Sequence, residues 1–211
     1  NEPALWRDIF PRADARHHKF SRGYALVAAG PEMTGAGRLA ARAAQRIGAG
    51  FVTIACAAKT APLYRVSLES VVVRGYRDTT VFREILGDER LGACLIGPGM
   101  GNAFGAQERV LHVLRRGVPA VVDADGLTIF EGAPELLMDT IEGPCVLTPH
   151  EGEFRRIFPD LDSGNRIELV CAAARRAGCV VLLKGPDTVI ADPQGRVVMN
   201  DNAPPWLATA G

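Results

Sequence analysis

Short, continuously apolar segments alternate with amphipathic helical patterns along this 211-residue chain from Tyr24 onward. Such segments are typical of strands buried on both faces of a parallel sheet, because strands with one wet face alternate polar and apolar residues. Right-handed crossovers then cover the sheet with helices and bring the carboxyl ends of the strands to one edge. The sequence therefore predicts an α/β protein of three layers, α/β/α, with a mainly parallel central sheet.

The individual elements follow from apolar runs and helical periodicity. The predicted strands are 24–29, 51–56, 71–73, 93–96, 118–122, 145–147 and 179–183. Helices are predicted over 38–47, 104–116 and 165–177, and another from His150 onward. Segments 188–192 and 196–200 form a predicted hairpin that turns at Asp192-Pro193-Gln194-Gly195. On the first helix, four residues fall on one apolar face, namely Leu39, Ala43, Ala44 and Ile47.

The composition argues against several classes of function. Lys plus Arg equals Asp plus Glu at 24 each, so no net field draws the chain to nucleic acid or to an anionic membrane surface. No apolar run reaches the roughly 18–20 residues that a membrane-spanning helix needs. The five cysteines include no Cys-x-x-Cys pair. We therefore expect the cysteines to be buried free thiols in a cytoplasmic protein, and to form neither disulfides nor a metal site.

The chain divides into an N-terminal arm and one domain. Residues 1–22 are rich in charge and proline and have few regular features, so we predict an arm or linker there. Residues 23–211 show no internal repeat and no inner boundary, so we predict a single domain. Because the chain begins with Asn1 and lacks an initiator Met, we expect it to belong to a longer protein.

Five connections that follow predicted strands carry glycine or chemically active side chains. These five corners are 30–37, 97–101, 123–126, 148–153 and 184–188. Because the carboxyl ends of parallel strands share one edge, the five corners should converge where open α/β sheets bind ligands. Loop closure alone does not require this accumulation of Gly, acid, His and Lys on one side.

The two glycine-rich corners match neither common nucleotide-binding motif. Corner 30–37 is not a Walker loop, because Ala36 stands where that motif has lysine. Corner 97–101 misses the dinucleotide fingerprint, because Phe104 occupies its third glycine position. Taken singly, each corner is most simply a tight turn. Together, their glycines would let backbone N–H groups approach an anion or a flat ring, as in a nucleotide or dinucleotide site.

The charged corners each allow a structural and a functional interpretation. One of Asp123 and Asp125 should cap the following helix, and the other could face the site or hold a hydrated Mg²⁺. His150 could cap a helix or contact a ligand. Lys184 begins a turn between two strands, and spacing alone leaves open whether its ammonium contacts a phosphate.

Read together, these segments resemble the ADP/ATP-dependent NAD(P)H-hydrate dehydratases, which belong to the ribokinase-like superfamily. The order and spacing of the segments hold from about residue 17 to the last residue. Thr-Pro-His-x-Gly-Glu and Lys-Gly-x-x-Thr in this order are specific features. The matching segments are His18-Lys19-Phe20-Ser21-Arg22-Gly23, Gly30-Pro31-Glu32-Met33-Thr34-Gly35-Ala36, Gly97-Pro98-Gly99-Met100-Gly101, Asp123-Ala124-Asp125-Gly126-Leu127, Thr148-Pro149-His150-Glu151-Gly152-Glu153, Lys184-Gly185-Pro186-Asp187-Thr188 and Leu207-Ala208-Thr209-Ala210-Gly211.

The resemblance implies a ribokinase-like fold and a repair activity on damaged nicotinamide cofactors. Family enzymes dehydrate the (6S)-hydrate of NADH or NADPH back to NAD(P)H, using ADP or ATP with Mg²⁺ and giving AMP or ADP and phosphate. The C6 hydroxyl is phosphorylated, and phosphate is then eliminated. This agrees with the demands of phosphoryl transfer, which needs positioning and charge neutralisation more than unusual residues.

The resemblance also assigns roles to residues. Contact with the hydrated dinucleotide is expected of Ala36, Gly99, Gly101 and His150. Contact with the adenine nucleotide is expected of Lys184, Gly185, Pro186, Asp187, Thr188 and Gly211. Glu153 stands where the superfamily places a carboxylate that organises hydrated Mg²⁺, and Asp123 is the second metal candidate.

The family pattern continues beyond the residues of this chain. In the family, Leu-Ala-Thr-x-Gly runs on into Thr-Gly-Asp at the start of a helix, which supplies an anion hole and a base. The chain stops at Gly211, so we expect its catalytic base, and the helices that follow, to be missing. The resemblance also implies a homo-oligomer, and the arm resembles the linker to an N-terminal NAD(P)H-hydrate epimerase domain.

Two other functions compete with this interpretation. One is a small-molecule kinase of the same superfamily, and the Thr-Pro-His-x-Gly-Glu form around His150 argues against it. The other is a non-catalytic nucleotide-binding module, which the expected absence of the base would permit. A generic α/β domain whose loops only turn is the simplest alternative.

Because the base is expected after Gly211, the 211-residue chain assayed alone should show little or no dehydratase activity. The measurement is NADH regeneration from hydrated NADH with ADP. Turnover close to that of a longer form of the protein would contradict this prediction.

Overall fold

The computed structural model describes residues 2–12, 14–102 and 104–207. Within these residues nine strands form one sheet in the order β3-β2-β1-β4-β5-β6-β7-β8-β9. The strands β1 to β9 are Tyr24–Ala28, Phe51–Ala57, Val72–Tyr76, Ala93–Ile96, Ala120–Val122, Cys145–Leu147, Val180–Leu183, Thr188–Ala191 and Val197–Asn200. The helices α1 to α8 are Thr34–Ile47, Ala61–Arg65, Thr79–Leu86, Ala106–Arg115, Asp125–Thr128, Pro134–Met138, Glu151–Ile157 and Arg166–Ala177.

The sheet is parallel from β3 to β7 and antiparallel from β7 to β9. The predicted mainly parallel sheet and the predicted terminal hairpin are therefore confirmed. Strands β1, β4, β5, β6 and β7 occupy consecutive positions, and each one precedes one of the five corners. All five corners consequently lie side by side, at what we call the carboxyl edge of the sheet.

The reversal of strand order beside β1 distributes the helices over the two faces. Because crossovers are right-handed, the helices that lead from β1 to β2 and β3 cover one face, and the later helices cover the other. Ala41 of α1 and Tyr64 of α2 pack in a core cluster with Ile54, while Val110 and Phe154 belong to the cluster on the opposite face. The three-layer prediction therefore holds over β1–β3.

Beyond β1–β3, the α1–α2 face of the sheet carries half-buried residues. They are Leu95, Val121, Val146 and Leu182. The described helices after β3 contribute their buried residues to the core of the opposite face. Within the described part of the chain, the third layer is therefore only partial.

The first helix differs from the prediction at its start. It begins at Thr34, four residues before the predicted position, so Ala36 lies in its first turn. The corner after β1 is therefore shorter than predicted. Gly37 lies against the sheet, where a Cβ would approach that of Ala29 to 2.6 Å.

The predicted apolar face of α1 is wrong at Leu39, Ala43 and Ile47, which are exposed, and right only at Ala44, which packs half-buried against the core. Leu39 and Ile47 are 54% and 70% exposed, and the buried residues of the helix are Gly37 and Ala41. Small residues let the helix axis approach the strands closely, whereas side chains as large as Leu or Ile would hold it away. The helix therefore packs through its smallest residues.

All five cysteines are free thiols, four of them buried and Cys171 half-buried, as predicted. Burial raises the pKa of Cys94 to about 12. No helix in the described ranges combines the length and the apolar character that crossing a bilayer requires.

Tyr64 of α2 holds the corner after β1 through a hydrogen bond to its backbone. Its fully buried hydroxyl donates a hydrogen bond to the carbonyl of Gly30 at 2.8 Å. Burial raises the pKa of this hydroxyl to about 12, because the charged phenolate would lose its hydration.

Replacing Tyr64 with Phe should lower the free energy of unfolding by about 1–2 kcal/mol at neutral pH, because the Gly30 carbonyl loses its buried donor. The folded pKa of about 12 is higher than the unfolded value. The stabilisation is therefore complete below about pH 10 and is lost as the pH rises toward the folded value. Urea denaturation between about pH 10 and 12 should show that the free energy of unfolding falls more steeply with pH for wild type than for Tyr64→Phe. Parallel pH profiles would contradict the prediction.

Candidate functional site

The corners after β1 and β4 touch through their backbones. A Cβ on Gly30 would lie 1.6 Å from the carbonyl oxygen of Gly99. The Gly30 N–H donates to the Pro98 carbonyl at 3.4 Å, and the Glu32 N–H donates to the Gly99 carbonyl at 3.3 Å. These two corners therefore pack as one unit, in which position 30 has room only for hydrogen.

The corner after β5 joins the same unit. A Cβ on Gly97 would lie 1.8 Å from the Asp123 carbonyl oxygen. The Gly101 N–H donates to Oδ2 of Asp125 at 2.8 Å. Gly97, Gly99 and Gly101 have φ of 123°, 65° and 63°, so the interpretation of corner 97–101 as a tight turn is confirmed. Ligand contact by Gly99 or Gly101 stays a prediction.

Neither aspartate of this corner caps α5. The N-cap position is held by Ala124, which has φ of 51° and whose methyl group makes no capping hydrogen bond. The predicted capping role is therefore wrong, because both carboxylates are engaged elsewhere. Asp125 accepts from Gly101, and Asp123 accepts from Thr148. A positive φ is strained for alanine, so the turn between the two aspartates stores backbone energy at the carboxyl edge.

Lys184 joins the ends of β5, β6 and β7. Its Nζ lies 2.7 Å from Oδ1 of Asp123 and 3.6 Å from Oε2 of Glu153. Oδ1 of Asp123 also accepts the Thr148 hydroxyl at 2.9 Å. The Glu153 side chain is 6% exposed, so it depends on this ammonium and on hydrogen bonds for compensation of its charge.

His150 is the N-cap of α7. Its Nδ1 accepts the N–H groups of Gly152 at 2.9 Å and Glu153 at 3.2 Å, while Oε2 of Glu153 accepts the His150 N–H at 2.8 Å. This is a capping box. Because Nδ1 accepts, a neutral His150 ring carries its proton on Nε2. The capping interpretation is confirmed, and the side chain remains 55% exposed at the carboxyl edge.

The turn 184–188 connects β7 to the antiparallel β8, as predicted. The Lys184 N–H donates to the Pro149 carbonyl at 2.8 Å, which ties this turn to the His150 corner. Within the turn, the Thr188 hydroxyl donates to the Gly185 carbonyl at 3.1 Å. Residues 208–211 lie outside the described residues, so the expected contact of Gly211 stays a prediction.

The two predicted metal ligands flank the same ammonium. Among the described residues, no three His, Cys, Asp or Glu side chains are grouped to hold a metal ion. Asp123 and Glu153 supply carboxylate oxygens, and Mg²⁺ is commonly bound by one or two carboxylates with water and substrate phosphates. This pair therefore suits Mg²⁺ only when phosphate or water completes the coordination.

Arg166 and Tyr64 contribute to the site without having been recognised in the sequence. The Arg166 guanidinium donates to the Lys184 carbonyl at 3.1 Å. A positive residue in the first turn of a helix is unfavourable for the helix dipole, and this was the available signal for Arg166.

Two cavities, of about 420 and 540 Å³, lie at the opposite edge of the sheet and include none of the predicted site residues.

The chain is similar to known proteins over the sheet and its carboxyl edge. The family model described as NAD(P)H-hydrate dehydratase matches residues 25–211. The chain belongs to the NAD(P)H-hydrate dehydratase family. The matched residues include all five corners.

Two curated relatives are each called bifunctional NAD(P)H-hydrate repair enzyme. The Salinibacter ruber protein is 36% identical over 99% of this chain and 41% of its own length. The Synechocystis protein is 36% identical over 92% of this chain and 38% of its own length. The chain thus spans about two fifths of the length of these relatives.

Solved structures agree with the fold. The ADP/ATP-dependent NAD(P)H-hydrate dehydratase of Bacillus subtilis, co-crystallised with ATP and Mg²⁺, aligns with a TM-score of 0.79 and 32% identity, covering 95% of this chain and 72% of that one. A ribokinase-like superfamily protein of Enterococcus faecalis has a TM-score of 0.80 at 22% identity, covering 96% and 71%, and supports the fold alone. The predicted ribokinase-like fold is confirmed.

The capping role of His150 can be separated from ligand contact by substitution. His150→Ala removes the acceptor for two backbone N–H groups and should lower the free energy of unfolding by about 1 kcal/mol. His150→Asn keeps an N-cap acceptor and should unfold at nearly the wild-type urea concentration. Equal destabilisation of both variants would show that the imidazole stabilises the protein by another route.

Proposed function

We propose that this chain carries the ADP- or ATP-dependent dehydration of the (6S)-hydrate of NADH or NADPH, giving NAD(P)H, phosphate and AMP or ADP. The observation that carries this proposal is the Lys184 ion pair with Asp123, which joins the ends of β5 and β7 beside the His150 corner that follows β6. Membership of the dehydratase family and the named activity of the Bacillus subtilis relative support it.

The proposed ligands divide the carboxyl edge between them. The hydrated dinucleotide would lie along α1 and the ends of β4 and β6, against Ala36, Gly99, Gly101 and His150. The adenine nucleotide would lie on the 184–188 turn after β7, and Gly211 would complete its site. Neighbouring strands are about 4.8 Å apart, so the five strand ends from β1 to β7 span roughly 19 Å. That width allows two nucleotides to meet at one point.

The chemistry assigned to described residues is positioning and charge neutralisation. The Lys184 ammonium would face phosphate oxygens from its place between two carboxylates, and the low dielectric around the buried Glu153 strengthens such interactions. Mg²⁺ held by Asp123 and Glu153 would neutralise phosphate charge when bound. We assign the removal of the C6 hydroxyl proton to none of the described residues.

We also propose a cytoplasmic homo-oligomer that works within a two-activity protein. Five free thiols suit a reducing compartment. The exposed Leu39 and Ile47 on α1 offer apolar surface to a second copy. The curated relatives are called bifunctional, which supports fusion to an N-terminal hydrate epimerase domain.

The test uses the full gene product, hydrated NADH or NADPH, Mg²⁺ and either ADP or ATP, with recovery of NAD(P)H absorbance as the readout. Lys184→Met should lower kcat/KM by about 100-fold or more, because phosphate charge loses its fixed counter-charge. Lys19→Met is the matched control, since the Lys19 ammonium lies over Phe20 and Phe51. Its activity should equal that of wild type.

Three outcomes would overturn the proposal. The first is wild-type protein that regenerates no NAD(P)H with either nucleotide. The second is accumulation of a stable phosphorylated product, which would indicate the competing small-molecule kinase. The third is equal activity of Lys184→Met and wild type.

A further inference from the structure

Arg166 lies directly against the turn 184–188. Its Nη2 donates to the Lys184 carbonyl at 3.1 Å, and its Nε is 3.8 Å from Oδ1 of Asp187. A Cβ on Gly185 would lie 2.4 Å from the same Nη2. The guanidinium therefore contacts three of the five residues of the turn.

The helix that carries Arg166 does not need this side chain. The N-cap of α8 is Asn165, whose side chain already accepts the N–H groups of Ile167 and Glu168. A positive charge in the first turn opposes the helix dipole. In addition, the buried Nε of Arg166 has no hydrogen-bond partner within the described part of the chain. Burying an unpaired donor is unfavourable. We therefore attribute the position of the guanidinium to its contacts with Lys184 and Asp187 in the 184–188 turn.

The contacts of Arg166 hold the backbone of Lys184 from one side while the neighbouring corner holds it from the other. The Lys184 carbonyl accepts from Arg166, and the Lys184 N–H donates to the Pro149 carbonyl. The Lys184 ammonium is fixed separately by Asp123. Loss of Arg166 would therefore release the 184–188 backbone without breaking the ion pair at the centre of the site.

From this geometry we propose that Arg166 is the positioning residue of the adenine-nucleotide site, fixing the 184–188 turn through the Lys184 carbonyl and the Asp187 carboxylate. The proposal deepens the proposed function and rests on it for the identity of the ligand. Arg166 acts through the turn, so its loss should weaken nucleotide binding and leave binding of the hydrated dinucleotide unchanged.

The guanidinium also occupies the space that a side chain at position 185 would enter. Gly185 does not have a positive φ, so its backbone alone would accept alanine. The obstacle is Nη2 of Arg166. A methyl group at position 185 should therefore displace the guanidinium and cost its contacts with the turn when arginine is present at 166, and have little further effect when that arginine is removed.

The first experiment compares Arg166→Gln and Arg166→Lys with Arg175→Gln, which removes an exposed arginine from the other end of the same helix. In the full gene product, Arg166→Gln should raise the KM and the dissociation constant for ADP about tenfold, as expected for two lost polar contacts. The KM for hydrated NADH should stay within about twofold of wild type. Arg166→Lys should recover only part of the affinity, because an ammonium cannot reproduce the fork of guanidinium donors.

The second experiment is a double-mutant cycle on ADP affinity. Gly185→Ala alone should weaken ADP binding, and Gly185→Ala combined with Arg166→Ala should bind ADP as well as Arg166→Ala alone. Simple addition of the two losses would overturn the proposal. So would an unchanged ADP constant in Arg166→Gln, or equal increases in the KM values of both substrates.

Failure of the two proposals can be told apart. If wild type fails to dehydrate the hydrate but binds ADP in a way that depends on Arg166, the proposed function is wrong and the role of Arg166 stands. If wild type is active and Arg166→Gln has the wild-type ADP constant, the role of Arg166 is wrong and the function stands. Wild-type protein that neither binds ADP nor acts on the hydrate would overturn both.

Discussion

The ion pair between Lys184 and Asp123 is the interaction on which the carboxyl edge depends. It connects residues 61 positions apart in the chain and, together with the Thr148 hydroxyl that also binds Asp123, holds together the ends of three strands. The nearby Glu153 carboxylate is buried, and a buried charge is tolerated only when it is paired and hydrogen-bonded. Lys184 and the His150 N–H provide that compensation. Each member of this group therefore holds another in place.

Much of the fold could be predicted because apolar strands and right-handed crossovers leave few arrangements. The reasoning from apolar periodicity did not identify which residues of α1 are buried, because it takes no account of side-chain size. On α1, Leu39 and Ile47 stand out as apolar, yet Gly37 and Ala41 face the sheet because close packing favours small residues. Helices α2, α5 and α6 span only four or five residues, too few to show a helical period.

The residue types of the candidate site were visible in the sequence, whereas their contacts were not. Glycine, Asp123, His150 and Lys184 stand at strand ends, and the topology alone brings strand ends together. The direction of each side chain depends on partners distant in the chain. Asp125 turns toward Gly101 and so caps no helix. Arg166 belongs to no motif; its unfavourable place in the first turn of α8 marks it in the sequence, but only the structure shows that it contacts the 184–188 turn.

The backbone contact between Gly30 and Gly99 limits how this protein can diversify. A side chain at position 30 would meet the Gly99 carbonyl, and one at position 99 would meet Met33, so neither glycine can gain a side chain unless the backbone moves. Any new ligand preference at this edge must therefore arise from the remaining corners or from loop insertions. The corners after β1 and β4 would keep their backbone positions while the other corners change.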